Sequence, residues 1–175
     1  DNRVEEIPFN ARVHRIASEQ ARSKYNITDE PFKVKHIRWP SVSADGKIAV
    51  FEAAGSTWRM SLPSGKPQQL VFNAENKQQF MPAISPNGKQ VVYVTWDDDA
   101  LGQIWIVSLK GGEAKQLSDK AAQYLYPIWS PDSKAIYATR SKGLDAEAIA
   151  GGAPKHYERI AINLKGKTHI LQAEV

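Results

Sequence analysis

An all-β fold of three four-stranded antiparallel repeats is predicted by three observations in this sequence. A turn-forming octapeptide recurs three times, a short β-branched or aromatic run follows each copy, and a glycine turn with a closing leucine ends each unit. The copies are Pro40-Ser41-Val42-Ser43-Ala44-Asp45-Gly46-Lys47, Pro82-Ala83-Ile84-Ser85-Pro86-Asn87-Gly88-Lys89 and Pro127-Ile128-Trp129-Ser130-Pro131-Asp132-Ser133-Lys134. They start 42 and 45 residues apart, the spacing of units that each form one small sheet.

Each copy reads as a tight turn between two strands. Proline presets φ at the first central position, Asp or Asn suits the second, and glycine takes the left-handed position that follows. After the turns come Ile48 to Glu52, Val91 to Thr95 and Ala135 to Thr139, apolar runs too short for helices. A loop then leads to a third strand: Thr57 to Leu62, Gln103 to Leu109 and Tyr157 to Leu164. Trp58, Trp105 and Ile160 fall at equivalent places in it, as do Leu62, Leu109 and Leu164. Glycine turns follow at Ser64-Gly65, Gly111-Gly112 and Lys165-Gly166, and short fourth strands end at Leu70, Leu117 and Leu171. Such units set around an axis are the blades of a β-propeller, so residues 37–72, 78–118 and 123–172 read as three blades of a partial propeller. A sandwich of about twelve strands accounts for the strand spacing but not for the recurring sequence.

Composition agrees. The chain has 175 residues, 42% hydrophobic and 24% charged, which is globular, and a domain of this size buries roughly 70% of its unfolded surface. No apolar run approaches the ~20 residues of a membrane span. Without cysteine there is no disulfide, thiolate metal site or cysteine nucleophile. The net charge of +4 is spread along the chain with no Lys/Arg block, so nucleic acid is not an expected partner.

The pattern Pro-x-x-Ser-Pro-Asp-Gly-Lys followed by an apolar strand resembles the TolB-like, WD-repeat-like β-propeller repeat of bacterial proteins, over residues 37 to 172. Ala44 stands where proline is usual, Asn87 for aspartate and Ser133 for glycine; Ser133 is expected to be strained if it adopts positive φ. Three stretches resemble more closely the propeller region of large periplasmic amidohydrolase-family proteins. They are Ile7-Pro8-Phe9-Asn10-Ala11, Ile37-Arg38-Trp39-Pro40-Ser41-Val42-Ser43 and Tyr93-Val94-Thr95-Trp96-Asp97-Asp98-Asp99. That resemblance implies a periplasmic location and a separate metal-dependent hydrolase barrel following the propeller.

Residues 1–36 lack the repeat. Val4 to Phe9 reads as a strand, by resemblance the last strand of a preceding blade. Val13, Ile16, Ala17, Gln20 and Ala21 sit at helical spacing, so Val13 to Lys24 is a short helix or an ordered linker. Asn26-Ile27-Thr28 matches a glycosylation sequon and reads as a chance match. A start at Asp1 suggests a processed or excised piece. Within the repeats, the longest irregular stretch is Arg140 through His156, whose glycines favour mobility.

Chemistry-bearing patterns are sparse. Gly-x-Ser-x-Gly is absent, as are phosphate-binding glycine loops. His14, His36, His156 and His169 have no metal-ligand spacing, so no cofactor and no catalysis are expected of this chain. Asp97-Asp98-Asp99 offers hard oxygen atoms to Ca²⁺, but consecutive side chains diverge and a solvated loop is the better reading. Trp39 and Trp129 lie in first strands where blades pack, and Trp58 and Trp105 recur, so these four are assigned to the core. Trp96, at the mouth of a loop, is the weak ligand-binding candidate. The expected function is a non-catalytic interaction or scaffolding module. The alternative is the substrate-orienting propeller of an amidohydrolase or peptidase. Expected partners are a protein, or a covalently linked hydrolase domain, or a second copy in a homodimer that closes the ring.

Overall fold

The turn motif organises the first half of each repeat by side-chain hydrogen bonds. The Ser43 hydroxyl donates to Asp45 Oδ1 (2.6 Å) and accepts from Ile48 N–H (2.9 Å), while Gly46 N–H closes the turn on Ser43 O (2.8 Å). Lys47 N–H donates to Asp45 Oδ1 at 3.1 Å. Ser85, Asn87 and Gly88 repeat this pattern, as do Ser130, Asp132 and Ser133. Gly46, Gly88 and Ser133 hold φ of 70°, 68° and 60°, so the strained serine is present as expected. It is also useful: its hydroxyl accepts Asn87 N–H from the neighbouring turn at 3.1 Å, a bond glycine cannot make.

The computed structural model describes Asn10, Arg12 and residues 32–72, 77–141 and 156–173. The chain divides into two compact units, Asp1–Phe32 and Lys33–Val175. Twelve strands are described, all in the second unit. The first blade comprises β1 (Arg38–Val42), β2 (Ile48–Ala53), β3 (Ser56–Ser61) and β4 (Gln68–Gln69). The second comprises β5 (Gln78–Ile84), β6 (Gln90–Trp96), β7 (Gln103–Ser108) and β8 (Lys115–Gln116). The third comprises β9 (Tyr124–Trp129), β10 (Ala135–Ser141), β11 (Tyr157–Asn163) and β12 (Thr168–Ala173). Each sheet is antiparallel with its strands in sequence order. The expected strand at Val4 to Phe9, the segment Val13 to Lys24, the sequon and residues 142–155 lie outside the described residues.

Alternation along the strands gives each blade two apolar faces, and the core is the seam between blades. Val50 and Leu70 of blade 1 meet Val91, Tyr93, Val107 and Leu109 of blade 2. Val92, Val94, Ile104 and Ile106 of blade 2 meet Ile136, Ala138, Ile160 and Ile162 of blade 3. Polar stitches run along both seams: Arg59 Nη1 donates to Leu109 O (3.1 Å), and Lys115 Nζ to the equivalent Leu164 O (2.9 Å). Strand β5 packs against β1, and β9 against β5, so the first strands line one edge of the stack.

The tryptophans only partly follow expectation. Trp129 is buried, with its indole N–H on Ala83 O (3.0 Å) across the seam. Trp58 and Trp105 face each other's equivalent partners, Phe51 and Tyr93, but are half-buried. Their indole N–H groups bond Ala53 O (2.9 Å) and Thr95 Oγ1 (3.0 Å). Both lie in third strands, and each keeps part of its surface in solvent. Trp39 is half-buried too, for a reason that lies in its backbone.

Candidate functional site

Every first strand carries one residue too many. Between the Arg38↔Glu52 and Ser41↔Val50 pairs, two residues of β1 oppose one of β2. The same two-against-one mismatch separates Phe80↔Val94 from Ala83↔Val92, and Leu125↔Thr139 from Ile128↔Tyr137. These are β-bulges, which re-aim a side chain and locally break the ladder. The bulged pairs are Trp39-Pro40, Met81-Pro82 and Tyr126-Pro127, and proline, having no N–H, loses nothing where the ladder is broken.

The residue before each proline takes left-handed backbone: φ is 45° at Trp39, 53° at Met81 and 52° at Tyr126. For large non-glycine side chains this costs about 1–3 kcal/mol each, and such strain clusters at binding sites. Because the bulges are equivalent, three large side chains are presented in succession along the edge formed by the first strands. Phe80, next to Met81 in the chain, meets the Trp39 ring edge-to-face at 6.1 Å, and Tyr126 N–H donates to Met81 Sδ (3.2 Å). The Arg38 guanidinium lies 5.9 Å from the Trp39 ring centre, in cation–π range. Tyr126 is 64% exposed. The edge therefore carries apolar and aromatic side chains beside a cation.

The residues singled out from the sequence lie elsewhere and serve their own loop. Asp97 Oδ1 accepts Asp99 N–H (3.0 Å) and Ala100 N–H (2.7 Å), and these two bonds hold its carboxyl below the usual range. Asp98 Oδ1 accepts the Trp96 indole N–H at 2.9 Å, so Trp96 is tied down by the loop. Asp98 and Asp99 are exposed. Among the described residues, no group of three or more His, Asp or Glu is placed to hold a metal ion. His36, His156 and His169 are exposed on separate segments, and His14 lies outside the described residues. The bulge residues were missed because their sequence signal, a large residue before Pro40, Pro82 and Pro127, reads as ordinary extended backbone.

No known family profile matches the chain. Over 68 residues it is 35% identical to the uncharacterized peptidase YuxL of Bacillus subtilis, a match covering 39% of this chain and 10% of the relative. TolB of Acinetobacter baumannii superposes with a TM-score of 0.60 at 21% identity, covering 80% of this chain and 33% of that one. The fold is a partial TolB-like propeller. A Pyrococcus horikoshii acylaminoacyl peptidase superposes with a TM-score of 0.57 at 16% identity, over 77% of this chain and 25% of the peptidase. The propeller module thus spans only a fraction of each relative's length. No helix among the described residues is long and apolar enough to cross a membrane.

Proposed function

We propose that this chain is a non-catalytic propeller module, periplasmic, that binds a protein segment along the Trp39–Met81–Tyr126 edge. One observation carries the reading: the same costly left-handed bulge is kept in all three blades, with a large apolar residue on it each time. The exposed Tyr126 and the Trp39 ring beside the Arg38 guanidinium support a role for this edge in recognition. The test is to pan a random peptide library against the full chain and against a Trp39→Ala/Tyr126→Ala variant whose fold is checked by circular dichroism. Peptides enriched on the native chain should bind the variant at least tenfold more weakly, roughly the loss of one interface anchor. Enriched peptides that bind both equally refute this edge as the site.

A second reading is the substrate-orienting propeller of a hydrolase. The YuxL and acylaminoacyl peptidase likenesses favour a peptidase parent, and the three sequence stretches favour an amidohydrolase. The chain alone should then hydrolyse neither peptide nor amide chromogenic substrates, with or without Zn²⁺ or Mn²⁺. Turnover abolished by His36→Ala or His169→Ala would overturn the non-catalytic assignment.

A further inference from the structure

The two seams between blades end differently on the side of the fourth strands. At the seam of blades 1 and 2 lies a cavity of about 470 Å³. Its lining joins Arg59, Leu70 and Phe72 of blade 1 to Lys110 and Gly111 in the turn of blade 2. Leu70 is buried, whereas Phe72 is 83% exposed. At the seam of blades 2 and 3, Asp119 stands two residues after Leu117, as Phe72 stands two after Leu70. Thr168 stands one residue before His169, as Ala114 stands one before Lys115. His169 and Lys115 pair with Ala161 and Ile106, which hold equivalent places. The Thr168 hydroxyl donates to Asp119 Oδ1 at 3.3 Å and ties the second seam shut. Phe72 and Ala114 can make no such bond, so the first seam carries an apolar ring where its sibling carries a polar tie.

The charges around the cavity have one sign. Arg59 Nη1 donates to Leu109 O (3.1 Å) and Nη2 to Gln68 Oε1 (3.0 Å). Both acceptors are neutral, so they hold the guanidinium at the cavity without balancing its charge. Lys110 is exposed. Among the described residues, the lining has these two cations and no carboxylate, Glu113 being exposed on the turn beyond Gly112. Ligand cavities of roughly 300–1,000 Å³ pair apolar walls with a few placed polar groups, and a wall of one charge raises the local concentration of the opposite one.

We propose that this cavity binds an amphipathic organic anion, a small molecule with an aromatic or aliphatic body and one carboxylate or sulfonate group. The body packs on Phe72 and Leu70, and the anionic group lies toward Arg59 and Lys110. The cavity belongs to the third and fourth strands and the Trp39–Met81–Tyr126 edge to the first, so the inference goes beyond the proposed function and does not rest on it.

Two fluorescent probes test it on the full chain: anilinonaphthalene sulfonate, and N-phenylnaphthylamine, which has the same rings without the sulfonate. The anionic probe should bind saturably to the native chain. Phe72→Ala and Lys110→Glu both alter exposed side chains and should leave the melting temperature near the native value. Each should weaken the anionic probe about tenfold, roughly the loss of one anchor. The neutral probe should respond to Phe72→Ala and not to Lys110→Glu. The Trp39→Ala/Tyr126→Ala variant should bind the anionic probe like the native chain, which separates this site from the peptide edge. Absence of saturable binding overturns the proposal, as does native-like binding by either Phe72→Ala or Lys110→Glu. Equal loss of both probes in Lys110→Glu rejects an anionic ligand, and loss in the Trp39→Ala/Tyr126→Ala variant places the probe on the other edge and rejects this cavity.

Discussion

Asp132 and Asn87 occupy the same place in successive turns and make the same bonds, yet only one of them titrates. The Ser130 hydroxyl and then Lys134 N–H hold the Asp132 carboxyl below its ordinary value of 3.8, as Ser43 and Lys47 do for Asp45. A folded-state pKa below the unfolded one gives stability that is present above the unfolded value and lost as pH falls through the folded one. These two turns should therefore contribute evenly down to the carboxylate range and weaken below 3.8. Asp132→Asn copies the Asn87 turn. It should melt like the native chain at neutral pH and lose less stability in acid, as followed by thermal denaturation across pH. The adjacent Ser133 answers a different question. Glycine there would remove the left-handed strain, worth about 1 kcal/mol, but would also strip Asn87 N–H of its acceptor, at a similar cost. Ser133→Gly should be neutral within about 1 kcal/mol, whereas Ser133→Ala keeps the strain, loses the bond and should cost about 1–2 kcal/mol in urea denaturation.

At the scale of the strand, the third blade departs from its siblings at one cross-strand pair. Arg140 of β10 opposes Glu158 of β11, where blade 2 pairs Thr95 with Gln103. Arg140 Nη2 donates to Glu158 Oε2 at 2.6 Å and Nε to the same oxygen at 3.2 Å, with both side chains under a tenth exposed. Burying two charges costs several kcal/mol of hydration, which their attraction repays only while both are present. Glu158→Gln leaves a buried guanidinium without its counter-charge and should destabilise the chain by about 3–5 kcal/mol. The double change Arg140→Thr/Glu158→Gln installs the blade 2 pair and should recover most of that loss, as measured by chemical denaturation. A double variant no more stable than Glu158→Gln would mean that the site needs charge for another reason. The bulges belong to this scale as well. Their register is set by the sheet, so the backbone at Trp39, Met81 and Tyr126 follows the pairing of its neighbours rather than its own preference.

For the whole molecule, burial is shared between repeats rather than contained within them. Neither described apolar cluster belongs to a single blade, as expected for repeats whose hydrophobic faces are covered only by neighbours. The sequence by itself determined the repeat length, the three turns, the strand order and the residues that recur at each seam, because turn chemistry and period-two alternation are local properties. The left-handed turn position was legible for the same reason, down to the serine that departs from glycine. Tertiary structure alone decided the rest. The Asn87–Ser133 bond joins turns 46 residues apart. The exposure of Trp58, Trp105 and Tyr137 is set by what packs against each, which their places along the chain do not state. The bulge edge follows from a two-against-one register between paired strands, and residues that individually favour extended backbone give no sign of it. What a residue does locally is written in its neighbours along the chain; what it faces is set by the blade packed against it.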